Sequence, residues 1–148
     1  MADLIYLDYN CFQRGFDDPR QIKIQLEALT CEEIFKLAER EKVTLIWSFM
    51  HEDENMLCPF IERKLAVSRL VALCKTRVGP EKEIYTLARK FQQNAELSAK
   101  DAIHLAGAVY SKSDYFISCD RELIKRAQRL GLAITIMNPV DYIRKVER

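Results

Sequence analysis

Asp101 and Asp120 stand at two expected helix starts on either side of the apolar run "YFISC" (115–119). Asp101 follows Ser98 at the capping-box spacing, and Asp120 stands where a helix N-cap belongs. Two further acidic groups also follow apolar runs: Asp8 after "LIYL" (4–7), and Glu52, Asp53 and Glu54 after "VTLIWS" (43–48). Each has an ordinary account as a turn residue, a cap, a first-turn acid favoured by the helix dipole, or a solvated charge. Together they could do chemistry. Carboxylates gathered in one place repel and drive one another to bind protons, a penalty that a hard divalent cation removes. Mg²⁺ or Mn²⁺ takes oxygen ligands and keeps several waters, leaving positions for a substrate. Such a site suits phosphodiester cleavage, with one cation activating a water and a second stabilising the leaving oxygen.

Convergence depends on the elements that carry these acids. "LIYL", "VTLIWS", "YFISC" and "AITIM" (133–137) are short, apolar and rich in β-favouring residues, as buried strands are. Helical segments alternate with them. Asp18–Pro19 opens one whose Ile22, Leu26 and Leu29 share a face, and the Thr30/Glu33 spacing suggests a second helix from there to Arg40. Further helices are expected over 59–75, over 78–93 with Pro80 in the first turn, from Ser98 through "AKDAIHLAGAVYSK", over 121–131 closed by Gly131, and from Pro139. The alternation predicts an α/β fold, a three-layer α/β/α sandwich with a mostly parallel central sheet. Sites in such sheets form beyond the carboxyl ends of the strands, where strand order reverses. Asp8, the 52–54 cluster and Asp120 all follow strands and so share that rim. Asp101 joins them if its helix begins at the same rim and runs back.

The 148 residues fit one domain across 1–148, with enough apolar content for a core. The N-terminus "MADLIYLDYN" has neither the basic start nor the cleavage site of a signal peptide, and no run approaches a membrane span. A cytoplasmic location is expected. The five cysteines, at 11, 31, 58, 74 and 119, make no CxxC pair. They read as reduced and mostly buried. Cys11 and Cys119 lie near Asp8 and Asp120, but carboxylates prefer hard cations, so no role is assigned to them. A net charge of +1 predicts no nucleic-acid partner by itself. Arg121, Lys125 and Arg129 nevertheless form one helical ridge, and "IRKVER" (143–148) is a basic tail. A solvated face is the ordinary reading of such a ridge, and a phosphate-binding surface is the alternative if a site lies nearby. His104, one turn after Asp101, reads as a core histidine rather than a site group, and His51 as a more exposed one.

The set "YLDYN", "WSFMHEDEN", "SAKDAIHLAGA" and "YFISCDREL" resembles PIN domains, the metal-dependent ribonuclease fold of VapC-type toxins in toxin–antitoxin pairs. The resemblance runs from Leu4 to about Pro139, and "KDAIHLAGA" and "FISCDREL" are its most specific parts. It implies acidic site residues at Asp8, Asp101 and Asp120, with Ser118 as the hydroxyl before the last acid. Its second acid falls on Glu54, the Glu directly before Asn, rather than on Glu52; these two differ by about 200° around a helix. The resemblance further implies RNA as substrate, Mg²⁺ or Mn²⁺ as cofactor, a homodimer, and an antitoxin protein as a possible partner.

Two rivals are weighed against this metal-dependent endoribonuclease. One is a catalytically silent PIN-like module that binds RNA or protein, which gains nothing from clustered negative charge beside a phosphate backbone. The other is a Mg²⁺-dependent phosphatase working through a phosphoaspartate, for which "LDYN" lacks a second Asp two residues on.

Overall fold

The structure is a computed structural model, described here for residues 2–147; Met1 and Arg148, the last residue of the basic tail, lie outside the described residues. Five strands make one sheet: β1 (Asp3–Leu7), β2 (Val43–Ser48), β3 (Thr76–Val78), β4 (Tyr115–Ile117) and β5 (Thr135–Met137). All neighbours pair in parallel, in the order β3-β2-β1-β4-β5. The chain builds outward from β1 through β2 to β3, then returns to lay β4 on the other side of β1. The strand order thus reverses between β1 and β4.

Eight helices cover the sheet: α1 (Tyr9–Gln13), α2 (Ile22–Glu39), α3 (Phe49–Met56), α4 (Ile61–Leu70), α5 (Lys82–Ala95), α6 (Ala99–Tyr110), α7 (Arg121–Gln128) and α8 (Pro139–Val146). Side chains alternate across each strand, and both faces are buried. Ile5, Leu7, Leu45, Trp47 and Ile117 face a core completed by α1, α2, α4 and α8. Tyr6, Ile46, Phe116 and Ile136 face a second core completed by α5, α6 and α7. The expected three-layer α/β/α arrangement with a parallel sheet is what the chain forms.

Three local expectations differ from the structure. Strand β3, which was not expected, lies at the junction of the two helices read over 59–75 and 78–93: α4 stops at Leu70, a 3-10 turn covers Val71–Leu73, and three edge-strand residues follow. Helix α2 is continuous through Thr30, whose hydroxyl donates back to the carbonyls of Leu26 (2.8 Å) and Glu27 (3.1 Å) instead of capping a new helix. Its face of Ile22, Leu26 and Leu29 points outward, while Glu27, Cys31, Ile34 and Ala38 are the residues it buries. Pro80 precedes the α5 N-cap, Glu81, and so lies just outside the helix.

Helix α6 is the element that brings Asp101 to the rim. Helix α5 ends on Glu96, in a left-handed conformation at φ +55°, and Ser98 then caps α6. The connection is tight, so α6 starts where the chain has just arrived and runs back across the sheet. Gly107 lets it sit close: a Cβ there would stand 3.4 Å from the Tyr6 ring of β1.

Candidate metal centre

Asp8 is the first residue beyond β1, and its backbone N–H continues the ladder to Ile117 O of β4 at 2.8 Å. That pairing sets Asp8 against the residue following β4. The Ser118 hydroxyl donates to Asp8 Oδ2 at 2.7 Å, and the Asn10 amide donates to the same oxygen at 3.1 Å. Ser118 Oγ also accepts the Asp120 backbone N–H at 3.0 Å. A single hydroxyl therefore ties the first and last acids together. The Asp120 carboxylate caps α7 through Oδ1, which accepts the N–H groups of Glu122 (3.0 Å) and Leu123 (3.1 Å). The cap fixes the rotamer and leaves Oδ2 outside the capping bonds.

Asp101 differs from the expectation that it caps. Ser98 is the cap, its Oγ accepting the Asp101 backbone N–H at 3.2 Å, so the Asp101 side chain is left to face the rim. Glu54 comes from α3. That helix is anchored by buried Asn55, which accepts the Tyr9 hydroxyl at 2.8 Å and donates to Ser68 at 3.3 Å. Glu52 turns the other way and accepts the Trp47 indole N–H at 2.7 Å. Asp8, Glu54, Asp101 and Asp120 line one cavity of about 270 Å³, with Asn10, Lys100 and Arg63 also on its wall. Lys100 Nζ lies 3.6 Å from Glu54.

The electrostatics follow from burial. Asp8 is only 5% exposed, and desolvation lifts its carboxyl above the ordinary range. Asp101 and Glu54 push it the same way, while the Ser118 bond pulls it down. A buried carboxylate with an elevated pKa among other carboxylates is an oxygen-rich set short of positive charge, which fits a hard divalent cation. Asp8, Glu54, Asp101 and Asp120 are the residues that could hold it.

Both histidines are part of the support for this rim. His104 is fully buried, as expected of a core residue, yet its Nε2–H donates to the Glu54 carboxylate. His51, expected near the surface, is also fully buried, with its ring between those of Tyr6 and Trp47 at centroid distances of 4.8 and 5.0 Å. One proton assignment partners every donor of this chain, with only the 3.0 Å approach of Ser48 Oγ to His51 Nδ1 left without a proton between them. The Tyr6 hydroxyl donates to His104 Nδ1 (2.6 Å) and accepts from Ser48 Oγ–H (2.7 Å), while Ser48 Oγ accepts the His51 backbone N–H (3.4 Å). His51 Nδ1 accepts the Ser48 N–H (2.9 Å) and its Nε2–H donates to the Leu7 carbonyl. Burial holds the His51 imidazole far below its ordinary pKa, in line with the neutral ring this assignment needs. The chain runs from the β2 terminus through Tyr6 to Glu54 and locks that side chain in place.

Asn10, Lys100, Arg63 and Tyr6 were not anticipated. Asn10, two residues after Asp8, and Lys100, directly before Asp101, carry a signal in their nearness to acids. Arg63 and Tyr6 carry none.

Comparison with known proteins supports this fold. No family model matches the chain, and no curated protein sequence matches it. Among solved structures it resembles VapBC2 from Rickettsia felis, determined bound to a DNA fragment from their promoter, with a TM-score of 0.58 at 10% identity over 91% of this chain and 98% of that one. It also resembles PAE2754 from Pyrobaculum aerophilum, with a TM-score of 0.55 at 13% identity over the whole of both chains. The fold is PIN-like, as the residues suggested.

Two outcomes follow from the network. Tyr6→Phe leaves His104 Nδ1 without its buried partner and is expected to cost about 1–3 kcal/mol, read from urea unfolding. Because the folded Asp8 carboxyl is raised, its ionisation opposes folding above that raised value, and the penalty fades as pH falls through it. Asp8→Asn should therefore be more stable than wild type at pH 7 in a chelating buffer, with the difference shrinking towards pH 4, as urea midpoints across that range will measure.

Proposed function

We propose that this chain is a Mg²⁺- or Mn²⁺-dependent endoribonuclease, a PIN-like nuclease domain spanning residues 1–148. The observation that carries the reading is the meeting of four acids from four elements in one cavity where the strand order reverses. Asp8, Glu54, Asp101 and Asp120 would hold the metal, directly or through water. The bound ion would supply the Lewis acidity for water attack on a phosphodiester and for charge on the leaving oxygen.

The protein's own groups supply position and access. Ser118 and Asn10 orient Asp8, the α7 cap orients Asp120, and the His104–Tyr6 chain orients Glu54. Lys100 and Arg63 stand on the cavity wall, where they can meet phosphate oxygens. Arg121, Lys125 and Arg129 are exposed along α7 and its C-cap, beginning directly after Asp120. An RNA backbone entering the cavity would run beside that ridge. The likeness to VapBC2 supports a toxin of a toxin–antitoxin pair with an antitoxin protein as partner, and a cytoplasmic homodimer is the form proposed for it.

The test is cleavage of a fluorogenic single-stranded RNA pool with Mn²⁺, with Mg²⁺ and with chelator. Wild type should cut with either metal and stop in chelator. Asp101→Asn and Asp120→Asn should each lower kcat/KM by about 100-fold or more. RNA that is bound but never cut under any metal condition would replace the nuclease with a silent binding module.

A further inference from the structure

Three of the five cysteines converge although nothing in their spacing suggests it. Cys11 comes from α1, Cys31 from α2 and Cys119 from the loop between β4 and α7. Their Sγ atoms all lie within 4.8 Å of one another, with Cys11 and Cys119 3.9 Å apart. Three sulfurs placed about 2.3 Å from a common centre in one plane stand about 4 Å from each other, so the spacing matches trigonal thiolate coordination. The same spacing is far beyond a disulfide bond, and all three are free thiols.

The surroundings place one cation beside the three buried thiols. Cys11, Cys31 and Cys119 are 1%, 2% and 4% exposed. Beside them, Arg14 Nε and the buried Glu27 Oε1 form an ion pair at 3.3 Å, and Arg14 Nη1 donates to Asp17 Oδ2 at 2.8 Å. Three thiolates around a monovalent cation carry net negative charge, and Arg14 is the cation that lies against Cys119. The thiols are also reachable: Cys11 and Cys31 line a cleft of about 490 Å³ against α2.

We propose that Cys11, Cys31 and Cys119 bind one thiophilic d10 cation, Cu(I) before Zn(II), at a site separate from the carboxylate cavity. Sulfur donors select soft ions and carboxylates hard ones, so the two sites take different metals. Three thiolates complete a Cu(I) site, whereas Zn(II) normally requires a fourth ligand. Among the described residues no other Cys, His, Asp or Glu joins the group. Binding forms three metal–sulfur bonds and releases the three thiol protons to solvent, with no change in oxidation state. The sites share one neighbour, because Cys11 Sγ–H donates to Asn10 Oδ1 at 3.4 Å and Asn10 in turn holds Asp8.

The test is anaerobic competition of the reduced protein against the Cu(I)–bathocuproine disulfonate complex, with Zn(II) competition against a pyridylazo resorcinol indicator as the second arm. Wild type should withdraw a single Cu(I) per chain. Cys11→Ser, Cys31→Ser and Cys119→Ser should each weaken binding on the order of 100-fold, while Cys58→Ser and Cys74→Ser leave it unchanged. X-ray absorption at the copper edge of the loaded wild type needs no variant and should give three sulfur neighbours at about 2.3 Å. No withdrawal of Cu(I), loss of binding in Cys58→Ser alone, or fewer than three sulfur neighbours would overturn the site. Tighter binding of Zn(II) than of Cu(I) would overturn the choice of ion.

Discussion

The Asp8 carboxylate is almost wholly buried and must share its surroundings with Asp101 and Glu54, both of which push its proton affinity up. Most of the local architecture follows from making that tolerable. Parallel pairing of β1 with β4 sets Ser118 beside Asp8, and the Ser118 hydroxyl serves both Asp8 and the Asp120 N–H. Asn10 adds a second donor to the same Asp8 oxygen. Lys100 places a cation near Glu54. These groups reduce the repulsion, and the carboxylate oxygens that line the cavity are donors suited to a hard divalent cation.

Rigidity at the rim comes from polar groups buried in pairs. The α3 N-terminus is closed by the Ser48 and His51 capping box, and the same two residues support Tyr6, which supports His104, which holds Glu54. Each member is satisfied, so the network specifies one arrangement instead of leaving an orphaned donor in the core. The thiol cluster is the opposite case. Three buried thiols from three separate elements face one another there, beside the Arg14–Glu27 ion pair.

How much of this could be read in the residues depended on the range of the interaction. Strands β1, β2, β4 and β5 and the convergence of acids were legible because the strands are short apolar runs, "LIYL", "VTLIWS" and "YFISC" each carry their acid locally, and parallel topology brings like ends together. The choice of Glu54 over Glu52 came through the family resemblance; the structure puts Glu54 in the cavity and Glu52 on the Trp47 indole. Strand β3 escaped notice because three residues on an edge carry too little alternation to compete with the helical pattern before them. The acidic neighbours of His51 suggested exposure, whereas stacking between Tyr6 and Trp47 buries it. Helix α2 was misread on its face because it buries Glu27 and Cys31 and leaves Leu29 in solvent. The thiols of Cys11, Cys31 and Cys119 come from distant positions, and only the folded chain brings them together.

The central claim is that these carboxylates exist to hold a divalent cation. Calorimetric titration of Mn²⁺ into wild type and Asp101→Asn, with the metal-free thermal midpoint of each, tests it most directly. Ser98 and not Asp101 caps α6, so the substitution leaves the cap intact. The account predicts binding by wild type, loss of binding by Asp101→Asn, and a metal-free midpoint that holds or rises in the variant as repulsion is relieved. Absence of Mn²⁺ binding by wild type, or equal binding by the variant with a lowered midpoint, would contradict it.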